Sequence, residues 1–236
     1  MNKIQEIAKM IDHSILHPTF TDMDLKKQCE IAVKFNVATV CIKPYHTKMA
    51  AELVKGSSVG VCAVIGFPHG NSTTEIKVLE TEQVIRDGAT EVDMVVNIGK
   101  VLQGDWDYVE KELKAINDAC VKHKVLLKVI FENDYLTNDE DKIKLCKICS
   151  KLKIAFVKTS TGYGFVKGAD GKFSYQGATE HDLKLMRQNS SPEVQVKAAG
   201  GVRDLDQILR VKELGATRVG ATATEAIIEA AKKKFN

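Results

Sequence analysis

Apolar positions along this chain fall into two alternating rhythms. Short runs rich in Val and Ile occupy 11–16, 37–42, 59–67, 91–97, 125–132, 154–159, 194–199 and 217–220. Most are bounded by Gly, Pro, Asn or Asp, which predicts strands. Their apolar character is nearly continuous, as in strands covered on both faces. Between them, apolar residues recur every three or four positions, which predicts helices near 22–35, 47–55, 73–87, 105–122, 138–152, 180–188, 204–214 and 223–234. A further helix, 3–10, precedes the first strand. Thr21 with Asp24, Thr137 with Glu140 and Thr179 with Asp182 read as helix-start pairs. Gly88 and Gly215 read as helix stops. The stretch 162–177 carries neither rhythm, and connections of that length usually carry function or disorder.

Eight strand–helix units in one chain of 236 residues fit an α/β fold, a (β/α)₈ TIM barrel with an extra N-terminal helix. No linker divides the chain, so a single domain over 1–236 is expected. A doubly wound open sheet is the alternative. It would want a Gly-rich turn after the first strand, where His17-Pro18 stands instead. The net charge is +3 and the basic residues are dispersed, which argues against a nucleic-acid partner. No apolar run approaches the roughly 18 residues that span a bilayer. The first six residues have no signal-peptide character, so a cytoplasmic location is expected. Six cysteines lie within apolar patterns, where a thiol acts as a small hydrophobe. Cys146 and Cys149 have metal spacing but no second pair, so core packing is the expectation for them. The histidines show no metal spacing, and no metal is expected.

Chemistry enters where polar residues break the apolar runs. Lys158 follows Ile154-Ala155-Phe156-Val157, and Lys197 sits between Val196 and Ala198. Lys128 lies in a third such run. Asp12, Cys41 and Asp93 interrupt others. In a barrel, reacting groups gather at the C-terminal strand ends. A free lysine is neutral only about 0.04% of the time at pH 7. Burial and a neighbouring ammonium both lower a lysine's pKa, and a neutral amine attacks carbonyl carbon. One such lysine alone would more readily snorkel or pair with a carboxylate. Lys158 and Lys197 together, with Asp93 as proton shuttle, point to Schiff-base chemistry. Gly200-Gly201 after the seventh strand and Gly220 after the eighth each precede a helix, and helix N-termini hold phosphate. Gly162 offers a further backbone amide.

These residues stand in segments that closely resemble the deoxyribose-phosphate aldolases over the full length. The segments are Ile11-Asp12-His13-Ser14, Val40-Cys41-Ile42-Lys43-Pro44, Gly66-Phe67-Pro68-His69-Gly70, Glu91-Val92-Asp93-Met94-Val95-Val96-Asn97, Leu127-Lys128-Val129-Ile130, Phe156-Val157-Lys158-Thr159-Ser160-Thr161-Gly162 and Val196-Lys197-Ala198-Ala199-Gly200-Gly201-Val202-Arg203. The resemblance implies a cofactor-free class I aldolase that splits 2-deoxy-D-ribose 5-phosphate into acetaldehyde and D-glyceraldehyde 3-phosphate, in deoxyribose phosphate catabolism. It implies Lys158 as the Schiff-base lysine, Lys197 as its perturbing partner and Asp93 in proton transfer. It implies Asp12, Cys41, Lys128 and Thr159 around the substrate, Gly162, Gly200, Gly201, Gly220 and Thr222 around the phosphate, and a homodimer. Two departures stand out. The family usually shows Gly-Thr-Ser-Ser or Gly-Ala-Ser-Ser where this chain has Gly220-Ala221-Thr222-Ala223, and Gly168-Ala169-Asp170-Gly171-Lys172-Phe173 looks inserted.

Overall fold

A computed structural model describes residues 2–235. Eight parallel strands close into a barrel. In chain order they are β1 (Ile11–Ile15), β2 (Thr39–Ile42), β3 (Gly60–Ile65), β4 (Glu91–Val95), β5 (Leu126–Ile130), β6 (Phe156–Lys158), β9 (Gln195–Ala199) and β10 (Ala216–Ala221). The omitted β7 (Val166–Lys167) and β8 (Phe173–Ser174) pair antiparallel as a small hairpin outside the barrel. Closure of β1 onto β10 through Ile11 and Val219 excludes the open-sheet alternative.

Every residue of β2 and of β4 is buried, which is why their sequences show no alternation. One face of each strand meets the barrel interior and the other meets the helices. The outer helices are α1 (Lys3–Ala8), α2 (Asp22–Phe35), α3 (Thr47–Leu53), α4 (Thr74–Arg86), α5 (Ile98–Leu102), α6 (Trp106–Lys122), α7 (Asp139–Lys151), α8 (Glu180–Asn189), α9 (Leu205–Glu213) and α10 (Thr224–Phe235). Their apolar stripes and the outward strand residues form one continuous core. All six cysteines are buried and free, and burial pushes the Cys146 thiol up to about 11.

The caps largely follow the sequence expectation. Thr21 makes a reciprocal capping box with Asp24, and Thr179 accepts from the Asp182 amide. At α7 the expected Thr137–Glu140 pair is wrong. Asn138 is the cap, its side chain accepting from the Glu140 amide two residues later. The short α5 was not expected. Five residues give too little periodicity to register, and Asn97 starts the turn by accepting from the Lys100 amide. The strand expected over 125–132 ends at Ile130, which leaves Glu132 on the following loop with φ +61°. The stretch 162–177 contains the β7–β8 hairpin rather than being wholly irregular.

Candidate active site

Strand register decides which polar residues meet. Lys158 on β6 lies opposite Lys197 on β9, and Asp93 on β4 lies opposite Lys128 on β5. Lys128 is also opposite Phe156, so it sits two residues deeper in the barrel than Lys158. Period-two alternation then turns all four side chains inward. Asp93, Lys128 and Lys197 have no solvent exposure, and Lys158 has 2%.

The charges are closely joined. Asp93 Oδ2 accepts from Lys158 Nζ at 2.7 Å and from Lys197 Nζ at 2.7 Å. Its Oδ1 accepts from Lys128 Nζ at 2.8 Å and from the Cys62 thiol at 3.0 Å. Lys197 also meets Asp12 Oδ2 at 2.5 Å, and Lys128 meets Glu91 Oε2 at 2.5 Å. Arg218 reaches Asp12 Oδ1 at 2.6 Å and Glu91 Oε2 at 2.9 Å. Burial alone would oppose ionising Asp93, but the pull of Lys128, Lys158 and Lys197 outweighs it and holds the carboxyl well below the usual range. Burial likewise disfavours charge on Lys197. Asp12 and Asp93 outweigh it and hold that ammonium above the ordinary lysine value. Lys158 differs in geometry. Among the described residues it has a single carboxylate within 4 Å, on an oxygen it shares with Lys197.

Above this cluster lies a cavity of about 210 Å³, lined by Lys158, Lys197, Cys41 and all five glycine and threonine positions expected for phosphate: Gly162, Gly200, Gly201, Gly220 and Thr222. Three of these glycines adopt conformations that other residues rarely take, Gly162 at φ +87°, Gly200 at φ +82° and Gly201 at φ +92°. A Cβ on Gly200 would come within 2.9 Å of Gly177 Cα, so this approach fastens the end of the hairpin loop to the loop after β9. Hydrogen bonds from Ala178 N to Gly200 O and from the Gly177 amide to Asp134 complete the attachment.

Asp12, Lys128 and Thr159 lie elsewhere than the cavity wall. Asp12 and Lys128 are beneath it, inside the ion cluster. Thr159 points away from it, its hydroxyl donating to Ala199 O and accepting from Ala199 N, which laces β6 to β9. Conversely, Arg203, Tyr163, Tyr175, Ser14 and Leu16 line the cavity and were not among the expected site residues. Arg203 had a readable signal, a cation three residues beyond Gly200 in a glycine-marked strand end. The tyrosines arrive from the hairpin loop, whose path no periodicity reveals. Lys43 turns outward, donating to His17 O and Phe20 O.

A larger hollow of about 830 Å³ lies beneath the hairpin, between the starts of α7 and α8. Its lysine, Lys142, is held between Asp139 at 2.9 Å and Asp182 at 2.6 Å. It lacks a carbonyl-reactive group at a strand end, so the smaller cavity is the chemical one despite its size.

The chain matches the model of the DeoC/LacD family aldolase over residues 6–228. A deoxyribose-phosphate aldolase of Rhodopirellula baltica is 49% identical over 230 residues, which is 98% of this chain and 91% of the relative. One of Clostridium perfringens is 49% identical over 225 residues, 95% of each. The solved tetrameric deoxyribose phosphate aldolase of Aeropyrum pernix superposes with a TM-score of 0.86 at 25% identity, covering 99% of this chain and 94% of that one.

Proposed function

This chain belongs to the DeoC/LacD family of aldolases, and from that premise we propose that it cleaves 2-deoxy-D-ribose 5-phosphate, reversibly, through a Schiff base on Lys158. The carrying observation is the position of Lys158. It is at the cavity wall, on a carboxylate oxygen already claimed by Lys197, while Lys197 has a second carboxylate of its own. A buried amine whose charge is so thinly compensated is suited to react as the free base.

The open-chain aldehyde enters with its phosphate over the amides of Gly162, Gly200, Gly201 and Gly220 and the Thr222 hydroxyl. Arg203 supplies positive charge at the rim. Ala223 packs against the core instead of offering a second hydroxyl. The Lys158 amine adds to C1, and loss of water gives an iminium ion. The C3 hydroxyl gives up its proton, the C2–C3 electron pair moves into the iminium, and D-glyceraldehyde 3-phosphate leaves. Protonation of the remaining enamine at C2 and hydrolysis release acetaldehyde and restore the amine. Asp93 moves these protons through a water, as a transient relay. The Lys128 and Lys197 ammoniums make its carboxylate too weak a base to store a proton. Lys197 keeps Asp93 ionised and is the next station of the relay. Asp12 and Lys128 hold that pair in place from below, and Cys41 forms part of the wall against which the two-carbon unit rests.

Borohydride treatment with acetaldehyde tests the covalent step. The expected result is a permanent N-ethyl group mapped to Lys158. A protein that splits the sugar phosphate yet carries no adduct there would overturn the assignment. We further propose a cytoplasmic homodimer. The absence of any helix long and apolar enough to cross a membrane, among the described residues, is consistent with the first. Sedimentation at twice 26.0 kDa checks the second, and a fourfold mass would align this chain with its Aeropyrum relative instead.

A further inference from the structure

The ion cluster under Lys158 contains more cations than carboxylates. Four cationic side chains, Lys128, Lys158, Lys197 and Arg218, share three acids, Asp12, Glu91 and Asp93, through contacts of 2.5–3.5 Å. All are nearly or wholly removed from solvent, the Arg218 side chain being the most exposed at 13%. A buried excess charge is expensive, and the cluster sheds it most easily by losing one proton. Arg218 cannot be the donor, because a guanidinium stays protonated in proteins. Lys128 and Lys197 each touch at least two carboxylates. That leaves Lys158.

Resting on the Schiff-base reading, we propose that Arg218 is a positioning residue for the reaction: its fixed fourth cation occupies Asp12 and Glu91 and so leaves the Lys158 amine as the group short of a carboxylate. The local backbone supports an arranged role. The register of β10 against β9 shifts between Ala216 and Arg218, an irregularity that re-aims side chains. Thr217 remains outside on Gln195, and Arg218 turns inward, its guanidinium 5.2 Å from the centroid of the buried Phe156 ring. Both terminal Arg218 nitrogens engage Glu91, and one also engages Asp12 Oδ1, which accepts from the Thr39 hydroxyl as well.

Titratable and charged groups face Lys158 from every surrounding element. Asp93 and Glu91 come from β4, Lys128 from β5, Lys197 from β9, Asp12 from β1 and Arg218 from β10. Cys41 from β2 and Cys62 from β3 supply thiols, the latter pushed well up by burial. Glu132, on the loop after β5, has both oxygens occupied by Thr161 and forms no salt bridge to a lysine among the described residues; burial raises its pKa. Tyr163 is pushed up by burial.

The test follows the rate of acetaldehyde–borohydride trapping at Lys158 against pH in the full-length protein and its variants. Arg218→Met leaves three cations on three acids. Its acid limb is expected about one pH unit higher, so trapping at neutral pH falls about tenfold and recovers on the alkaline side. Glu91→Gln increases the excess and moves the limb to lower pH. The double variant restores a one-charge excess, and its limb returns toward the parent's. Arg218→Lys keeps the charge and keeps the limb. A folded Arg218→Met protein with the parental limb overturns the proposal, as does a limb in Arg218→Lys displaced as far as in Arg218→Met. Should Arg218→Met not fold, Glu91→Gln decides alone, and an unmoved or raised limb there overturns it. A parent protein that fails to trap at all rejects the Schiff-base reading itself, which separates the two failures.

Discussion

Two buried lysine sites in this barrel differ in one respect that matters. Outside the strands, between α4 and α6, Lys77 meets Glu112 at 2.9 Å with both side chains fully buried. Lys77 also donates to Val95 O, and Glu112 accepts from the Asn97 amide, so the pair pins the chain just after β4. One cation faces one carboxylate, neither of the two cavities described above reaches them, and their further partners are backbone groups. Inside the strands, Lys158 is almost as buried, but it shares its carboxylate and looks into a cavity. Burial is common to both sites and therefore cannot by itself explain reactivity. The ratio of cations to acids and the access to a carbonyl substrate separate a reacting lysine from a structural one.

The sharpest way to break that comparison is Lys158→Ala. Turnover of deoxyribose 5-phosphate should disappear, a loss of at least about four orders of magnitude, because Lys197, the other lysine on the cavity wall, is held protonated by Asp12 and Asp93. Folding should survive, since the change leaves Asp93 paired with Lys128 and Lys197. Single-turnover assay alongside a melting curve checks both halves. Lys197→Leu comes next. It frees Asp93 Oδ2 to serve Lys158 alone and leaves Asp12 Oδ2 without its 2.5 Å partner. A drop of about a thousandfold in kcat is expected, with Lys158 still present. Near-parental activity would show that sharing the carboxylate is unimportant.

Much of this site was readable from the chain because a charged residue inside an apolar strand is conspicuous whatever its neighbours. Lys158, Lys197, Lys128 and Asp93 stand out on that ground alone, and period-two alternation turns them to one interior. The glycines of the phosphate end were readable for a similar reason, since their place after the last two strands defines their place in a barrel. Two features were hidden. Arg218 sits in Ala216-Thr217-Arg218-Val219, where simple alternation does not reveal a register irregularity. Tyr163 and Tyr175 reach the cavity through a hairpin whose two strands have two residues each, too short for any periodic signal. Thr159 shows the converse failure. Its motif neighbours Lys158, yet alternation turns it to the opposite face, and its partner is the Ala199 backbone.

From the other side, the comparison predicts a stability effect without a chemical one. Lys77→Met leaves Glu112 buried without its counter-charge and Val95 O without its donor, and breaking such a pair costs about 3–5 kcal/mol. Chemical denaturation should show that loss, while kcat per folded molecule stays within a few-fold of the parent. Replacing both partners, Lys77→Met with Glu112→Leu, should recover part of the stability. The backbone groups of Val95 and Asn97 remain unpaired, which limits the recovery. A large fall in kcat for the folded single variant would mean that the outer pair is coupled to Asp93 through β4, and the two lysine sites would then have to be treated as one.

The smallest effect concerns the far end of the cavity, where charge is carried by the substrate instead of the protein. Thr222 supplies a side-chain hydroxyl beside the glycine amides, and the next position is Ala223. A neutral hydrogen bond contributes about 0.5–1.5 kcal/mol and one to a charged group about 1.5–3 kcal/mol. Thr222→Ala should therefore raise KM for deoxyribose 5-phosphate by roughly tenfold and leave kcat nearly unchanged, because the lost contact is made equally in ground and transition states. Unphosphorylated deoxyribose separates this contact from the lysine chemistry. Its kcat/KM should be low in the parent and unaltered by Thr222→Ala. Equal losses for both sugars would place Thr222 in support of the reacting carbon instead of the phosphate, and the division between a lysine end and an anion end of this cavity would fall.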